Sequence, residues 1–156
     1  EQVGAPLGTA MAAIGMGSFG GGEMGYASDA DAIFVHRATG EVSDEEAQRR
    51  AVLVVQEVRR LFGPAGPDPL LSLDNDLRPE GKAGPLVRSL AAYTTYYERW
   101  AATWEFQALL RARPVGGDHD LGQAFIARVD EPARHVRRER TPLERLLEAR
   151  LDLPGQ

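Results

Sequence analysis

The sequence predicts an α+β fold in which a small mixed β-sheet core is followed by a C-terminal helical extension. Short runs of β-forming residues dominate the first half of the chain, and one amphipathic helix pattern interrupts them. Only helical patterns follow after about residue 89. We therefore expect a core at residues 1–89 and helices at residues 90–156, which pack on this core to form one compact unit.

The chain begins with two strand patterns separated by a glycine-rich segment. Residues 10–16 form a short apolar run, which is typical of a buried strand. Residues 17–28 contain so many glycines that we expect a loop there. Residues 29–36 alternate in polarity and end in β-forming side chains, so they predict a second strand.

A helix and two further strand candidates complete the first half of the chain. Ser43 and Glu46 form a capping box. Apolar residues then recur at helical spacing until Gly63-Pro64, a sequence that ends helices. Further strands are expected at residues 70–77 and 85–88.

The second half of the chain predicts three helices. Ser89 is a suitable N-cap for a long helix that reaches about Arg113. The apolar face of this helix comprises Leu90, Tyr93, Tyr97, Trp100 and Trp104. Asp118 is suited to cap the next helix, and a capping box at Thr141 begins a short amphipathic helix that ends near Pro154.

The composition excludes several classes of protein. The chain has no cysteine, which excludes a disulfide scaffold, cysteine-ligated zinc and a thiol nucleophile. Its net charge of -5 argues against a protein that coats nucleic acid. The uncharged residues 2–22 contain too many glycines for a membrane span. Because the chain opens with Glu1, we expect it to be a piece of a longer polypeptide.

Gly15, Gly17 and Gly20 have the spacing of a dinucleotide-binding fingerprint. That fingerprint requires a crossover helix which begins within the glycines. Here the next strand starts at about Asp29, so a helix of about ten or more residues does not fit. The chain contains no Gly-Lys-Ser/Thr sequence, which excludes a Walker A loop as well.

Asp29 and Asp31 occupy positions i and i+2 of the second predicted strand. Both side chains should therefore point to one face, with Cα atoms about 6–7 Å apart. Like charges so close repel each other unless a cation lies between them. Carboxylates of this spacing can bind two Mg²⁺ ions about 3.5–4 Å apart, an arrangement used for displacement at phosphorus. The glycines before them can offer backbone N–H groups to a polyphosphate, although a flexible linker is the simpler interpretation.

Three motifs occur in the order that a known family has them. Gly17-Ser18, followed at a distance by Ser28-Asp29-Ala30-Asp31 and apolar residues, resembles the signature of the polymerase-beta-like nucleotidyltransferase superfamily. Over residues 15–35 the sequence resembles the glutamine-synthetase adenylyltransferase family more closely. Residues 73–87 are similar to that family's Asp-x-x-Leu-Arg-Pro-x-Gly segment, and residues 97–113 to its Trp-Glu-x-Gln-Ala-Leu-x-Arg-Ala-Arg helix.

This resemblance covers about residues 10–130 and implies a cytoplasmic nucleotidyltransferase core. The reaction it implies is transfer of AMP from ATP to a tyrosine of glutamine synthetase, with release of pyrophosphate and regulation of nitrogen assimilation. It implies that Asp29, Asp31 and Asp74 are catalytic and bind two Mg²⁺ ions. Family members have one half that attaches AMP and one that removes it, and Glu105-x-Gln107 is more similar to the attaching half.

Several more residues receive candidate roles from their chemistry and their position in the sequence. Contacts to ATP are predicted for Gly17, Ser18, Ser28, Arg78 and Lys82. Ser18 departs from the family, which usually has Lys or Arg there, and Ala27 departs at a position where Gly is usual. Asp76 receives no catalytic role, because it lies where the family often has Arg. Glu105 and Arg111 lie on the predicted long helix, where an ion pair with a neighbouring element and a contact to the substrate both remain open.

Three alternatives remain open. The same type of site can remove AMP by phosphorolysis. A different member of the superfamily would add nucleotides to a small molecule or an RNA. The chain would otherwise be a non-catalytic module that binds a nucleotide or a partner. The leading interpretation expects glutamine synthetase and ATP as partners, and neither a membrane nor a nucleic acid.

Overall fold

A computed structural model describes residues 7–25, 28–62 and 72–139, with side chains in the last helix as far as Arg134. These residues contain one five-stranded sheet. Its strands are β1 (Thr9–Gly15), β2 (Ala30–Ala38), β3 (Leu73–Asp74), β4 (Val87–Ser89) and β5 (Arg113–Gly117). β1 pairs antiparallel with β2 and with β5, whereas β3 and β4 both pair parallel with β2. The prediction of an α+β fold with a mixed sheet is confirmed.

Five α-helices lie within the described residues. They are α1 (Gly17–Gly21), α2 (Asp44–Leu61), α3 (Leu90–Arg99), α4 (Thr103–Ala108) and α5 (His119–Glu139). The side chains of Ser43, Ser89 and Asp118 each accept a backbone N–H in the first turn of α2, α3 and α5, respectively. These three predicted caps are confirmed, because short polar side chains satisfy the first amides of a helix.

The sheet separates two apolar clusters. The larger cluster joins β1 and β2 to α3 and α5, and its members include Ile33, Val35, Tyr93, Tyr97 and Phe125. The smaller cluster joins α2 to the opposite face of the sheet through Phe34, Ala51, Val55 and Val87. Because side chains alternate along a strand, the odd-numbered residues of β2 face α3 and α5. Asp31 shares this face.

The long helix predicted from Ser89 to about Arg113 is wrong beyond residue 99. After α3 ends, the chain is extended at Ala102, begins α4, and passes through a 3₁₀ turn at Leu109–Arg111 into β5. Glu105 stabilises the restart, because its buried carboxylate accepts the N–H of Ala102 at 2.7 Å and the hydroxyl of Tyr96 at 2.9 Å.

β5 also corrects the expectation that only helices follow residue 89. It pairs with β1, so the sheet continues into the second segment of the chain. Tyr93 and Tyr97 lie in the core as predicted, but Trp100 and Trp104 are 64% and 48% exposed. The helix breaks before these two residues can align with the apolar face. The division into residues 1–89 and 90–156 stays a prediction.

Smaller differences concern the other predicted elements. The segment 17–28 contains the short helix α1, so it is not a loop throughout. The strand predicted at residues 70–77 is limited to Leu73–Asp74 within the described residues. The predicted helix end at Gly63-Pro64 and the helix from Thr141 to Pro154 lie outside the described residues. None of the helices in the described part of the chain has the length and apolar character needed to cross a membrane.

Candidate active site

The candidate active site lies where β1 ends and β2 begins. Antiparallel pairing places Gly15, the last residue of β1, opposite Ala32. One residue later, the N–H of Met16 donates to the carbonyl oxygen of Asp31 at 2.8 Å. The chain then turns directly into α1. The glycine-rich segment is therefore held beside Asp31.

Gly17 brings the backbone against the carboxylate of Asp31. Its φ of +50° lies in the left-handed region, and a Cβ at this position would lie 3.0 Å from Oδ2 of Asp31. Both features favour glycine. Gly17 and Ser18 open α1, and the first N–H groups of a helix have no acceptor within the helix. Backbone donors thus lie next to the carboxylate, with the Ser18 side chain exposed.

Asp31 and Asp74 are direct neighbours across the parallel pair of β2 and β3. Side chains paired in this way project to the same face of a sheet. The N–H of Ala30 donates to the carbonyl oxygen of Ser72 at 2.7 Å and continues the pairing. Asp29 is exposed at the entrance to β2, and Ser28 precedes it. The predicted carboxylates are thus brought to one end of the sheet.

Charge and burial act together on Asp31. Partial burial raises the pKa of its carboxyl group, and the negative charges of Asp74, Asp29 and Asp76 raise this pKa further. No cationic side chain forms a salt bridge with Asp31 within the described residues, since Lys82 and Arg78 lie beside Asp76 instead. The electrostatic balance at this carboxylate therefore favours binding of a cation.

The same carboxylates do not form a closed metal cage. Across residues 7–25, 28–62 and 72–139, no three or more His, Cys, Asp or Glu side chains are gathered closely enough to hold a metal ion. Mg²⁺ usually binds through one or two carboxylates together with water and substrate phosphates, so a complete protein cage is not required. The oxygen donors and the unbalanced negative charge fit Mg²⁺ bound with a nucleotide.

The carboxylates of Asp76 and Asp74 have different partners, although the two residues are only two positions apart in the chain. One carboxylate oxygen of Asp76 lies 3.2 Å from Nζ of Lys82, and the other lies 3.7 Å from Arg78. Oδ1 of Asp74 instead accepts the backbone N–H of Asp76 at 2.7 Å. Asp76 thus has two cationic neighbours.

The guanidinium group of Arg78 lies inside its own turn. It donates to the carbonyl oxygens of Gly84 at 3.0 Å, Asn75 at 2.8 Å and Lys82 at 3.1 Å. Only 12% of its side chain is exposed, compared with 84% for Lys82. The two predicted phosphate contacts therefore differ, because Lys82 is exposed and pairs with a carboxylate, whereas Arg78 is bonded to backbone carbonyl oxygens.

Residues of the second half of the chain hold the glycine-rich segment. Nε of Arg113 donates to the carbonyl oxygen of Gly20 at 3.0 Å, and Arg111 forms an ion pair with Glu23 at 2.6 Å. A Cβ at Gly20 would lie 2.1 Å from the carbonyl oxygen of Arg111, so this packing requires glycine.

Arg111 thus forms an ion pair with a neighbouring element, one of the two roles expected for it. Glu105 forms no ion pair within the described residues and accepts hydrogen bonds from Tyr96 and Ala102 instead. The role of Arg113 was missed because the predicted helix continued to this residue and no strand was predicted after it, whereas β5 begins at Arg113.

Comparison with known proteins gives a consistent set of matches. The sequence model of a family described as glutamate-ammonia ligase adenylyltransferase matches residues 1–128. Similar curated proteins are each called bifunctional glutamine synthetase adenylyltransferase/adenylyl-removing enzyme. The one from Streptomyces avermitilis is 54% identical over 83% of this chain and 13% of its own length. The one from Mycobacterium avium is 50% identical over 92% of this chain and 15% of its own length. The one from Mycobacterium tuberculosis is 52% identical over 78% of this chain and 12% of its own length. The chain spans 12–15% of the length of these relatives.

Proposed function

Because the chain belongs to the glutamate-ammonia ligase adenylyltransferase family, we propose that it is a nucleotidyltransferase core that transfers AMP from ATP to a tyrosine of glutamine synthetase. The names of its relatives give glutamine synthetase as the protein on which they act. The observation that carries the proposal is the pairing of Asp31 with Asp74, with Gly17 against the Asp31 carboxylate. The proposed substrates imply a cytoplasmic location.

Asp29, Asp31 and Asp74 are the proposed ligands of two Mg²⁺ ions. Mg²⁺ bound with ATP supplies positive charge that offsets the charge developing at the α-phosphate and on the leaving pyrophosphate. The residues contribute by holding these charges in place before the reaction, because a fixed charge does not have to be reorganised in the transition state. The raised pKa of Asp31 is the expected state of such a site without its cation.

The proposed step is a direct displacement at the α-phosphorus of ATP. The phenol oxygen of the acceptor tyrosine forms the new bond to phosphorus, the bond to the bridging oxygen breaks, and pyrophosphate leaves. A tyrosine hydroxyl has a pKa near 10, so its proton must be accepted as the bond forms. We assign this proton to Asp74, whose Oδ1 is already oriented by the N–H of Asp76. The protein supplies no covalent nucleophile.

The glycine-rich segment is the proposed binding site for the triphosphate. Backbone N–H groups of Gly17 and Ser18 provide donors there, and Ser28 lies at the other end of the segment. Lys82 is the more suitable of the two predicted cations, because its side chain is 84% exposed and its ammonium group is held only by the ion pair with Asp76 among the described residues. A contribution of Arg78 would use the N–H groups that its bonds to Gly84, Asn75 and Lys82 leave free.

An assay with ATP labelled at the α-phosphate tests the proposal. The chain is incubated with Mg²⁺, labelled ATP and unmodified glutamine synthetase, and the label on glutamine synthetase is measured. We expect Mg²⁺-dependent labelling at tyrosine and release of one pyrophosphate for each AMP attached. Tight Mg²⁺-ATP binding without any transfer, also in the full-length polypeptide, would contradict the proposal in favour of a nucleotide-binding module.

Removal of AMP is the second candidate reaction, and the word "adenylyl-removing" in the relatives' names favours it. The two reactions are separated by their co-substrates. Attachment consumes ATP and releases pyrophosphate, whereas phosphorolysis consumes inorganic phosphate and releases ADP from modified glutamine synthetase. Incubation of labelled, modified glutamine synthetase with phosphate alone decides between them. We expect no release of label under these conditions.

A further inference from the structure

β3 has to hold Asp74 in the site with very little structure of its own. The strand has two residues, and its pairing with β2 consists of Ala30 opposite Leu73 and Asp31 opposite Asp74. One of these two pairs places a carboxylate beside a carboxylate, and like charges directly opposite are destabilising. Another interaction must therefore oppose the separation of β3 from β2.

Asn75 provides such an interaction. Its side chain is 4% exposed, and Nδ2 donates to the carbonyl oxygen of Ala32 at 2.6 Å. Asn75 is the residue after Asp74, and Ala32 is the residue after Asp31. This bond therefore joins the two strands one residue beyond the paired carboxylates. It ties β3 to β2 at the position where the repulsion acts.

The backbone of Asn75 anchors the following turn as well. Its carbonyl oxygen accepts the N–H of Arg78 at 3.1 Å and a guanidinium N–H of the same residue at 2.8 Å. Arg78 in turn holds the carbonyl oxygens of Lys82 and Gly84. The turn that leaves the site is thus fixed to Asn75, and Asn75 is fixed to β2.

A role in stability alone does not explain this side chain. Oδ1 of Asn75 is buried and has no hydrogen-bond partner within the described residues. A buried acceptor left unsatisfied lowers stability. An apolar side chain would avoid this loss, but it would leave the carbonyl oxygen of Ala32 without the donor that Asn75 provides. The main contribution of the Asn75 amide is therefore the bond from its N–H to β2, and its packing contributes less.

We propose that Asn75 is a positioning residue, which holds Asp74 beside Asp31 through its bond to the carbonyl oxygen of Ala32. Its effect on metal binding rests on the proposed function, whereas its effect on the strand pairing does not. Groups that orient metal ligands typically change metal affinity by about 10–100-fold when they are removed. Loss of the bond should therefore weaken metal binding without removing any ligand.

The first arm of the test measures hydrogen exchange at single amides in the 156-residue chain without metal. Asn75→Leu keeps the number of side-chain heavy atoms and the branching at Cγ, and it removes the N–H. We expect faster exchange at Ala30, whose N–H is bonded across to Ser72, and at Asp76, whose N–H is bonded to Asp74. Wild-type exchange at both amides would overturn the proposal. Asn75→Ser replaces the leucine variant if that protein does not fold.

The second arm measures the dissociation constant of Mn²⁺, used as a paramagnetic substitute for Mg²⁺, together with the Mg²⁺ concentration that gives half-maximal AMP transfer. Gln48→Leu is the matched control, because Nε2 of Gln48 donates to the carbonyl oxygen of Val87 at 2.8 Å, away from Asp31. We expect about 10–100-fold weaker Mn²⁺ binding for Asn75→Leu and wild-type binding for Gln48→Leu. Equal weakening in both variants would overturn the proposal. If the wild-type chain binds no Mn²⁺, the proposed function fails and the exchange measurement still decides the role of Asn75.

Discussion

The polar side chains at the two ends of β2 lie in opposite environments. At the C-terminal end, His36 is 1% exposed, and its Nε2 lies 2.6 Å from Oε1 of Gln48. Nε2 of Gln48 in turn donates a hydrogen bond to the carbonyl oxygen of Val87. At the N-terminal end, Asp31 is surrounded by the negative charges of Asp29, Asp74 and Asp76.

This difference separates polar residues that stabilise the fold from those that are available to bind. A buried polar group with its hydrogen bonds made adds specificity to the core and has no capacity left for a ligand. A group of like charges lowers stability and persists where a ligand neutralises it. The N-terminal end of β2 is therefore expected to lose function on mutation and the C-terminal end to lose stability.

The largest expected effect is on AMP transfer. Asp31→Asn and Asp29→Asn should each lower the rate by about a hundredfold to a thousandfold, which corresponds to about 3–4 kcal/mol of lost charge stabilisation. The rate of label transfer to glutamine synthetase measures this effect. Asp76→Asn is the matched control, because Asp76 is paired with Lys82 and has no proposed catalytic role. Transfer at the wild-type rate by Asp31→Asn would remove this carboxylate from the mechanism.

At the opposite end of β2, the main effect should be on stability. Gln48→Leu leaves the carbonyl oxygen of Val87 and a ring N–H of His36 without partners. A buried polar group left unsatisfied costs about 1–3 kcal/mol, so the free energy of unfolding should fall by about this amount. Urea denaturation measures this change. A Gln48→Leu protein with wild-type stability but impaired transfer would reverse the distinction between the two ends.

The glycine-rich segment offers a closer comparison between two residues of the same type. Gly17 and Gly22 both have positive φ, but a Cβ at Gly17 would press on Asp31 whereas a Cβ at Gly22 would meet nothing within 4 Å. An alanine in the left-handed region costs about 1–2 kcal/mol at either position. Only Gly17→Ala should also weaken Mg²⁺-ATP binding, by about tenfold. Equal affinities of the two variants, measured by calorimetry, would argue against the contact with Asp31.

The smallest effect is on the pH dependence of stability. Because its folded pKa is raised, the Asp31 carboxylate destabilises the metal-free fold at neutral pH, and this penalty disappears as pH falls through the raised pKa towards the unperturbed value of 3.8. Asp31→Asn should therefore match or exceed the wild-type melting temperature at pH 7. This advantage should shrink as the pH approaches 3.8. A melting-temperature advantage of Asp31→Asn that grows as the pH falls would show that the pKa of Asp31 is not raised in the folded protein.

The first half of the fold could be predicted from local patterns. β1, β2 and α2 each combine an apolar period with a cap or turn signal, and such signals do not depend on distant residues. β5 carries no comparable signal, because it is a strand only through its pairing with β1. The break between α3 and α4 likewise depends on the contacts of Glu105, which a helical period does not reveal.

The candidate site was predictable to the extent that spacing determines it. The spacing of Asp29 and Asp31 predicted two carboxylates on one strand face, and in the structure Asp31 lies in β2 whereas Asp29 immediately precedes the strand. Asp74 needed the family resemblance, since no local rule pairs it with Asp31. The bond of Asn75 to Ala32 joins residues 43 positions apart and has no sequence signal. Arg78 was predicted as a phosphate ligand because the sequence does not show that its guanidinium group bonds to carbonyl oxygens of its own turn. Those bonds depend on the folded backbone.

The melting temperature of Asp31→Asn with and without Mg²⁺-ATP tests the central claim most directly, because one experiment reports both stability and binding. A ligand that binds only the folded state stabilises it by a free energy that grows with the logarithm of the ligand concentration relative to Kd. The wild-type chain should melt at a higher temperature when Mg²⁺-ATP is added. Asp31→Asn should melt at or above the wild-type temperature without ligand and gain little from Mg²⁺-ATP. A variant that is less stable alone and gains as much as the wild type would show that Asp31 supports the fold and does not bind the metal-nucleotide.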